Sequence, residues 1–311
     1  MQEHFKIATR GSLLALWQAN YIRSKLLAIK PNITIELVTV KTKGDMILDT
    51  PLAKIGGKGL FVKEIEEALL DGRADLAVHS IKDVPMVLPE GFLLGCMPKR
   101  EIASDCFLSH KFGSISDLPK GAHVGTSSLR REAQLLAMRS DLVIENLRGN
   151  VDTRLRKLKE GQFDAIILAS AALKRLNFTA PYMADLDVES FLPAVGQGAL
   201  GIECLEQAYD VLVLLAELED RETRVCVEAE RAMLRGLNGS CDVPIAGHAT
   251  LIGSDKVRLV GLVADLDGST CIRKMIVGEA SDAEDLGAAL AQELLDAGGR
   301  EILAKLTEAN C

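Results

Sequence analysis

The sequence predicts an α/β protein of two related lobes with mixed, mostly parallel sheets, followed by a small α+β C-terminal domain. Three observations carry this reading. Strand and helix signals alternate over the first two thirds of the 311 residues. The run Asp75-Leu76-Ala77-Val78-His79-Ser80 has an echo in Asp164-Ala165-Ile166-Ile167-Leu168-Ala169-Ser170, each an apolar stretch leading into a turn. In the last third the strands are grouped and flanked by helices. At roughly 150 residues per domain, the length fits two or three domains.

In the first lobe, Phe5 to Thr9 reads as a short strand. Ser12 is an N-cap for a helix to about Ala28, with Ala15, Ala19, Ile22 and Leu26 on one face. Ile33, Ile35 and Leu37 alternate as in a half-buried strand. A Lys- and Gly-rich loop covers Lys41 to Lys58. A helix with Leu60, Ile65, Ala68 and Leu69 then ends near Gly72, before a buried strand from Ala74 to His79. The second unit starts near Asp105. Its strands are Ala122–Gly125, Leu142–Glu145 and Ala165–Leu168, and its helices Ser128–Met138 and Val151–Glu160. The last third opens with a charged helix from Arg221 to Leu237. Alternating segments Ile245–Leu251, Val257–Val263 and Cys271–Val277 follow, then a helix from Ala283 to Ala297. Turns at Gly253-Ser254-Asp255 and Asp265 to Ser269 join the segments.

Composition narrows the function. Hydrophobic residues are 48% and charged residues 26%, an ordinary globular balance. The net charge of −8 argues against a basic nucleic-acid binder. The longest apolar stretches, such as Ala165 to Leu173, are about half the roughly 20 residues of a membrane span. The N-terminus lacks a signal-peptide pattern, so a cytoplasmic location is expected. Seven cysteines without a C-x-x-C indicate neither a disulfide framework nor a metal site.

Charge is uneven: residues 120–175 carry a net +5, whereas the remainder carries −13. Thr126-Ser127-Ser128-Leu129-Arg130-Arg131 opens a helix directly after a strand, where free N–H groups, hydroxyls and guanidinium forks can bind carboxylates. Arg148-Gly149-Asn150 occupies a similar junction. A solvated helix face explains such charges about equally well, and Lys157 and Lys159 are assigned to it. Asp83 follows a buried strand, at the strand end where open α/β sheets bind ligands; it could stabilise a cation or move protons, or could simply cap a helix before Pro85. Cys241 lies in a Gly- and Pro-bounded loop and could act as a nucleophile, although free cysteine is more often buried. His79 reads as a satisfied core or cleft histidine. Gly56-Gly57-Lys58-Gly59 and Gly196-Gln197-Gly198 fall short of nucleotide-binding motifs.

An ordered set of motifs resembles the porphobilinogen deaminase (hydroxymethylbilane synthase) family. It comprises Ile7-Ala8-Thr9-Arg10-Gly11-Ser12 with Leu16-Trp17-Gln18-Ala19, Lys54-Ile55-Gly56-Gly57-Lys58-Gly59-Leu60-Phe61, and His79-Ser80-Ile81-Lys82-Asp83-Val84-Pro85. Gly125 to Arg131, Leu147-Arg148-Gly149-Asn150-Val151, Leu192 to Gly198, and Gly239-Ser240-Cys241 with Pro244 complete it. The resemblance implies two periplasmic-binding-protein-like lobes, 1–98 with 199–217 and 104–193, and a third domain, 221–311. It implies head-to-tail condensation of four porphobilinogen molecules to hydroxymethylbilane with release of ammonia. A dipyrromethane cofactor is implied on Cys241 through a thioether. Asp83 matches the catalytic aspartate. Lys82, Thr126, Ser127, Ser128, Arg130 and Arg131 match cofactor-holding positions, and Arg10, Ser12, Gln18, Arg148, Arg154 and Arg175 substrate-binding ones. Each pyrrole carries two carboxylates, which suits the arginine-rich segment.

The rival reading is a non-catalytic two-lobed protein that captures a small dicarboxylate. It accounts for the lobes and arginines but not for the third domain or Cys241. An RNA-binding module would need interleaved aromatics, and these are only 4%. No nucleic-acid, membrane or metal partner is expected, and a monomer is.

Overall fold

The structure is a computed structural model and describes residues 2–46, 62–239 and 243–309. The first strand, β1 (His4–Arg10), buries Phe5 and Ile7 and leads into α1 (Leu13–Ile29). Ser12 caps α1, its Oγ accepting from the Ala15 N–H at 3.3 Å, and the helix buries Gln18, Ala19, Ile22 and Leu26. β2 (Thr34–Val40) runs parallel to β1 along its whole length. A single turn, α2 (Lys43–Met46), follows. Beyond it α3 (Lys63–Leu70) buries Ile65, Ala68 and Leu69. β3 (Leu76–Ser80) returns parallel to β1, and β4 (Phe92–Cys96) comes next.

The second sheet begins with β5 (Asp105–Ser109), then β6 (His123–Gly125) and α4 (Leu129–Met138). β7 (Val143–Glu145), α5 (Val151–Lys159), β8 (Ala165–Ala169), α6 (Ser170–Leu176) and β9 (Tyr182–Asp185) complete it. The chain then re-enters the first sheet as β10 (Leu200–Leu205), before α7 (Tyr209–Leu215). The strand orders, β2-β1-β3-β10-β4 and β7-β6-β8-β5-β9, are the same pattern twice. In each, four strands run one way and one opposes them, β10 in the first sheet and β5 in the second. The echo between Asp75–Ser80 and Asp164–Ser170 marks β3 and β8, the equivalent central strands.

α8 (Arg221–Gly236) precedes an antiparallel sheet of β11 (Ile245–Ile252), β12 (Lys256–Ala264) and β13 (Cys271–Glu279). α9 (Ala283–Leu294) and α10 (Arg300–Ala309) end the fold. Met233 of α8, Leu259 and Val263 of β12 and Leu290 and Leu294 of α9 are fully buried together. Burying each such side chain contributes about 1.5–3 kcal/mol. The helix expected from Ala283 to Ala297 stops at Leu294; a π-turn over Leu295–Gly299, with Gly298 at φ 110°, redirects the chain into α10.

Two compact units result, one holding the first sheet, the other the second and third sheets. Within the second unit, Ala133 of α4 and Leu192 share a core with Ala246 of β11 and Val260, Leu262 and Ala264 of β12. Gly268, at the β12–β13 turn with φ +70°, lets that turn lie against α4: a Cβ there would meet the Ala137 nitrogen at 2.4 Å. Among the described residues, no helix is long and apolar enough to cross a membrane.

Candidate functional site

In the first unit, the C-terminal ends of β1 and β3 and the start of α1 enclose a pocket lined by Arg10, Ser12, Gln18, His79, Ser80 and Asp83. This is the strand-end position at which open α/β sheets bind ligands. Four of the residues singled out in the sequence are thus brought together. Gln18 is buried, and its Nε2 donates to Ser80 Oγ at 2.8 Å, fixing the amide beneath the pocket. Asp83 is the last residue of a one-turn 3-10 helix, Ile81–Asp83, and is exposed. The structure therefore corrects the capping alternative: Asp83 closes a turn and caps no helix start. Half-buried Lys82 precedes it in that turn.

His79 is satisfied, as expected for a cleft histidine: its Nε2 lies 2.9 Å from Glu203 Oε2. Glu203 is fully buried on β10. The sequence reading missed it, although one carboxylate inside the apolar run Leu200-Gly201-Ile202-Glu203-Cys204 was a visible signal.

In the second unit, the ends of β6 and β7 are tied together. Thr126 N–H donates to the Glu145 carbonyl at 2.9 Å, and Ser127 Oγ lies 2.5 Å from both the Leu147 carbonyl oxygen and Asn146 Oδ1, its single proton serving one of them. Thr126 Oγ1 accepts from the Ser128 N–H at 3.2 Å. Ser128 is the N-cap of α4, yet its hydroxyl makes no capping bond. Arg148 and Arg154 belong to the next junction, where Arg154 Nε donates to the Gly149 carbonyl at 2.7 Å. Lys157 Nζ donates to the Arg148 carbonyl at 3.3 Å, so it helps hold this turn and is not the merely solvated lysine expected. Arg175, on α6, is buried.

Arg130 and Arg131 are also buried, and both face Asp105 at the start of β5. Arg130 Nη1 is 2.7 Å from Asp105 Oδ2 and donates to the Leu192 carbonyl at 2.6 Å. Arg131 also donates to the Ile167 carbonyl at 3.0 Å. Burial alone would push the Asp105 carboxyl up, but Arg130 and Arg131 outweigh this and hold it well below the usual carboxylate range. Among the described residues, two guanidinium groups against one carboxylate leave a buried positive charge, and Arg130 Nε has no hydrogen-bond partner. These features, with the side chain of Ser128 not capping α4, fit a polycarboxylate group.

Burial pushes the Cys96 thiol upward, Cys106 to about 12 and Cys204 to about 11. Cys226 is buried and Cys271 exposed. Cys241 and most of the loop from Lys41 to Lys58 lie outside the described residues.

Comparison with known proteins agrees with the motif order. Residues 5–212 match the family model "Porphobilinogen deaminase, dipyromethane cofactor binding domain", and residues 224–296 match "Porphobilinogen deaminase, C-terminal domain". A porphobilinogen deaminase of Nitratidesulfovibrio vulgaris (strain DP4) is 59% identical over 97% of this chain and 96% of its own length. One from Lawsonia intracellularis is 56% identical over 96% and 97%. Among solved structures, the periplasmic aliphatic sulphonate binding protein of Escherichia coli aligns at a TM-score of 0.40 and 14% identity, over 76% of this chain and 71% of that one. With both family models matched in order, and relatives this similar along almost their whole length, the chain belongs to the porphobilinogen deaminase family.

Proposed function

We propose that this chain performs the family's reaction with Asp83 as its catalytic carboxylate and Cys241 as the anchor of its dipyrromethane. Family membership makes it a transferase of tetrapyrrole biosynthesis that condenses porphobilinogen head to tail into hydroxymethylbilane, releasing ammonia. The observation that carries the assignment is the pocket that places exposed Asp83 beside Arg10, Ser12 and Gln18.

Loss of ammonia leaves an electron-poor methylene-pyrrole cation. The Asp83 carboxyl oxygens accept hydrogen bonds from pyrrole N–H groups and stabilise that charge as it develops. After the new C–C bond forms, a proton must leave the attacking α-carbon, and Asp83 is the carboxylate in the pocket that receives it. Arg10, with Ser12 and Gln18, orients the incoming ring by its carboxylates. Arg148, Arg154 and Arg175 neutralise acetates and propionates as the chain grows. Lys82, Thr126, Ser127, Ser128, Arg130 and Arg131 hold the cofactor carboxylates; the net positive charge left around Asp105 and the first turn of α4 support this. When bound, the dipyrromethane supplies the first attacking α-carbon. The lobes 1–98 with 199–217 and 104–193, the third domain 221–311, a monomeric state and a cytoplasmic location complete the reading.

The test is product chemistry. Purified protein supplied with porphobilinogen should release one ammonia per molecule consumed and accumulate hydroxymethylbilane. A dicarboxylate-binding protein would bind porphobilinogen without releasing ammonia, and that result would reject the assignment.

A further inference from the structure

Behind the Asp83 pocket lies a second titratable cluster that the reaction as described does not use. His79 sits on β3, and Glu203 on the antiparallel neighbour β10. Glu203 pairs with Ala77, two residues before His79, so the two side chains emerge on one face of the sheet. Glu203 is fully buried; its Oε2 meets His79 Nε2 at 2.9 Å, and its Oε1 has no hydrogen-bond partner among the described residues. Glu66 of α3 completes the group: burial and then Glu203 push its carboxyl up, while His79 pulls it down. His79 also lines the pocket that holds Asp83.

We propose that His79, backed by Glu203, is a proton relay that restores Asp83 after each condensation. The inference rests on the assignment of Asp83 above. In each cycle the substrate ammonium leaves as ammonia, taking the C–N bonding pair with it. The C–C bond then forms, and the α C–H bond breaks with its electron pair returning to the ring. That proton passes to the Asp83 carboxylate. Asp83 must be ionised again before the next unit reacts, and the reaction repeats on one enzyme. With Nε2–H donating to the Glu203 carboxylate, His79 carries its lone pair on Nδ1 and takes the proton there. Glu203 stabilises the resulting imidazolium as an aspartate does beneath a catalytic histidine. The proton then goes to the released ammonia, which departs as ammonium. His79 acts through Asp83 and is a positioning and relay residue rather than the catalytic one.

The experiment compares the holoenzyme with His79→Gln and Glu203→Gln. In His79→Gln the new amide keeps a donor toward Glu203 but cannot take up a proton. Turnover should fall about 10–100-fold, the low end of what positioned proton transfer contributes. Turnover in D2O relative to H2O should then be slowed more in the variant than in the wild type, because moving the exchangeable proton off Asp83 has become the slow step. A merely structural role would not enlarge that isotope effect. Independently of turnover, nitrogen NMR of the holoenzyme should show the Nε2–H tautomer of His79, lost or weakened in Glu203→Gln. Wild-type turnover by His79→Gln, or a slow variant without the larger solvent isotope effect, would overturn the relay. So would the Nδ1–H tautomer in the wild type, a readout that stands even where the variants fail to fold. Loss of turnover in Asp83→Asn beside an unaffected His79→Gln would reject the relay and leave the assignment of Asp83 standing.

Discussion

Arg131 holds Asp105 with two nitrogens on one oxygen, Nε at 3.1 Å and Nη2 at 2.6 Å from Oδ1, at a site closed to solvent. Arg130 takes the other oxygen. The carboxylate fixes both guanidinium groups at the start of α4, so charge and position are set before any ligand arrives. Asp105→Asn removes the counter-charge of two buried cations and should cost about 3–5 kcal/mol, read as a lowered midpoint in denaturant. The pH dependence follows. Because the folded pKa of Asp105 is depressed, its contribution is fully present above the unfolded value of about 3.9 and is lost as pH falls through the folded value. Wild-type stability should therefore fall more steeply with acid below about pH 4 than that of Asp105→Asn, which lacks the titrating group.

The same arrangement separates the arginines. Arg131→Leu leaves Asp105 short of a partner in a buried site, so it should be both less stable and largely free of cofactor. Arg148→Leu, in the turn before α5, should retain cofactor and thermal stability but stall elongation. Mass spectra after addition of porphobilinogen check this: few or short covalent intermediates on Arg148→Leu, and mostly bare chains for Arg131→Leu. A full ladder on Arg131→Leu with cofactor-free Arg148→Leu would reverse the division.

Asp83→Asn keeps the shape of the exposed side chain and removes its charge. Loss of one electrostatic partner of the developing cation should slow turnover roughly 10²–10³-fold. Exposure of Asp83 means that folding should be little changed, so the midpoint of thermal unfolding should stay near that of the wild type. Near-normal turnover would remove Asp83 from the chemistry.

Gly268→Ala tests the contact between the third sheet and α4. An added Cβ meets the Ala137 nitrogen at 2.4 Å and the Ala133 carbonyl oxygen at 2.6 Å, at a positive φ that alanine tolerates poorly. Backbone atoms cannot yield as a side-chain tip does, so a loss of about 1–3 kcal/mol is expected from chemical denaturation.

Much of the fold was legible in the sequence because its parallel strands and amphipathic helices have local signatures. β1, β3, β6, β8, α1, α4 and the β11–β13 meander all announce themselves by burial pattern, capping residue or turn chemistry. The opposing strands β5 and β10 do not, because pairing across distant stretches of chain decides their place: β10 joins β3 through Leu200↔Ser80 and its neighbours. The site divides in the same way. Asp83, Arg10, Ser12 and Gln18 stood out through motif and position, and the pocket collects them. Asp105 and Glu203 did not stand out, since an acidic residue reveals its role only when the fold buries it against a distant Arg131 or His79. Arg130 and Arg131 read either as carboxylate-binding groups or as part of a solvated helix face; both are buried against Asp105, which removes the solvated-face alternative for them.

The central claim is that Cys241 carries a dipyrromethane built from porphobilinogen, and the intact mass of the purified protein tests it most directly. The wild type should exceed its sequence mass by one dipyrromethane, and Cys241→Ser should have the bare sequence mass and give no pyrrole colour with Ehrlich's reagent. Alkylation of the native protein should label exposed Cys271 and spare Cys96, Cys106, Cys204 and Cys226. A wild-type protein of bare sequence mass, or a Cys241→Ser variant that still carries the two pyrrole rings, would contradict the account.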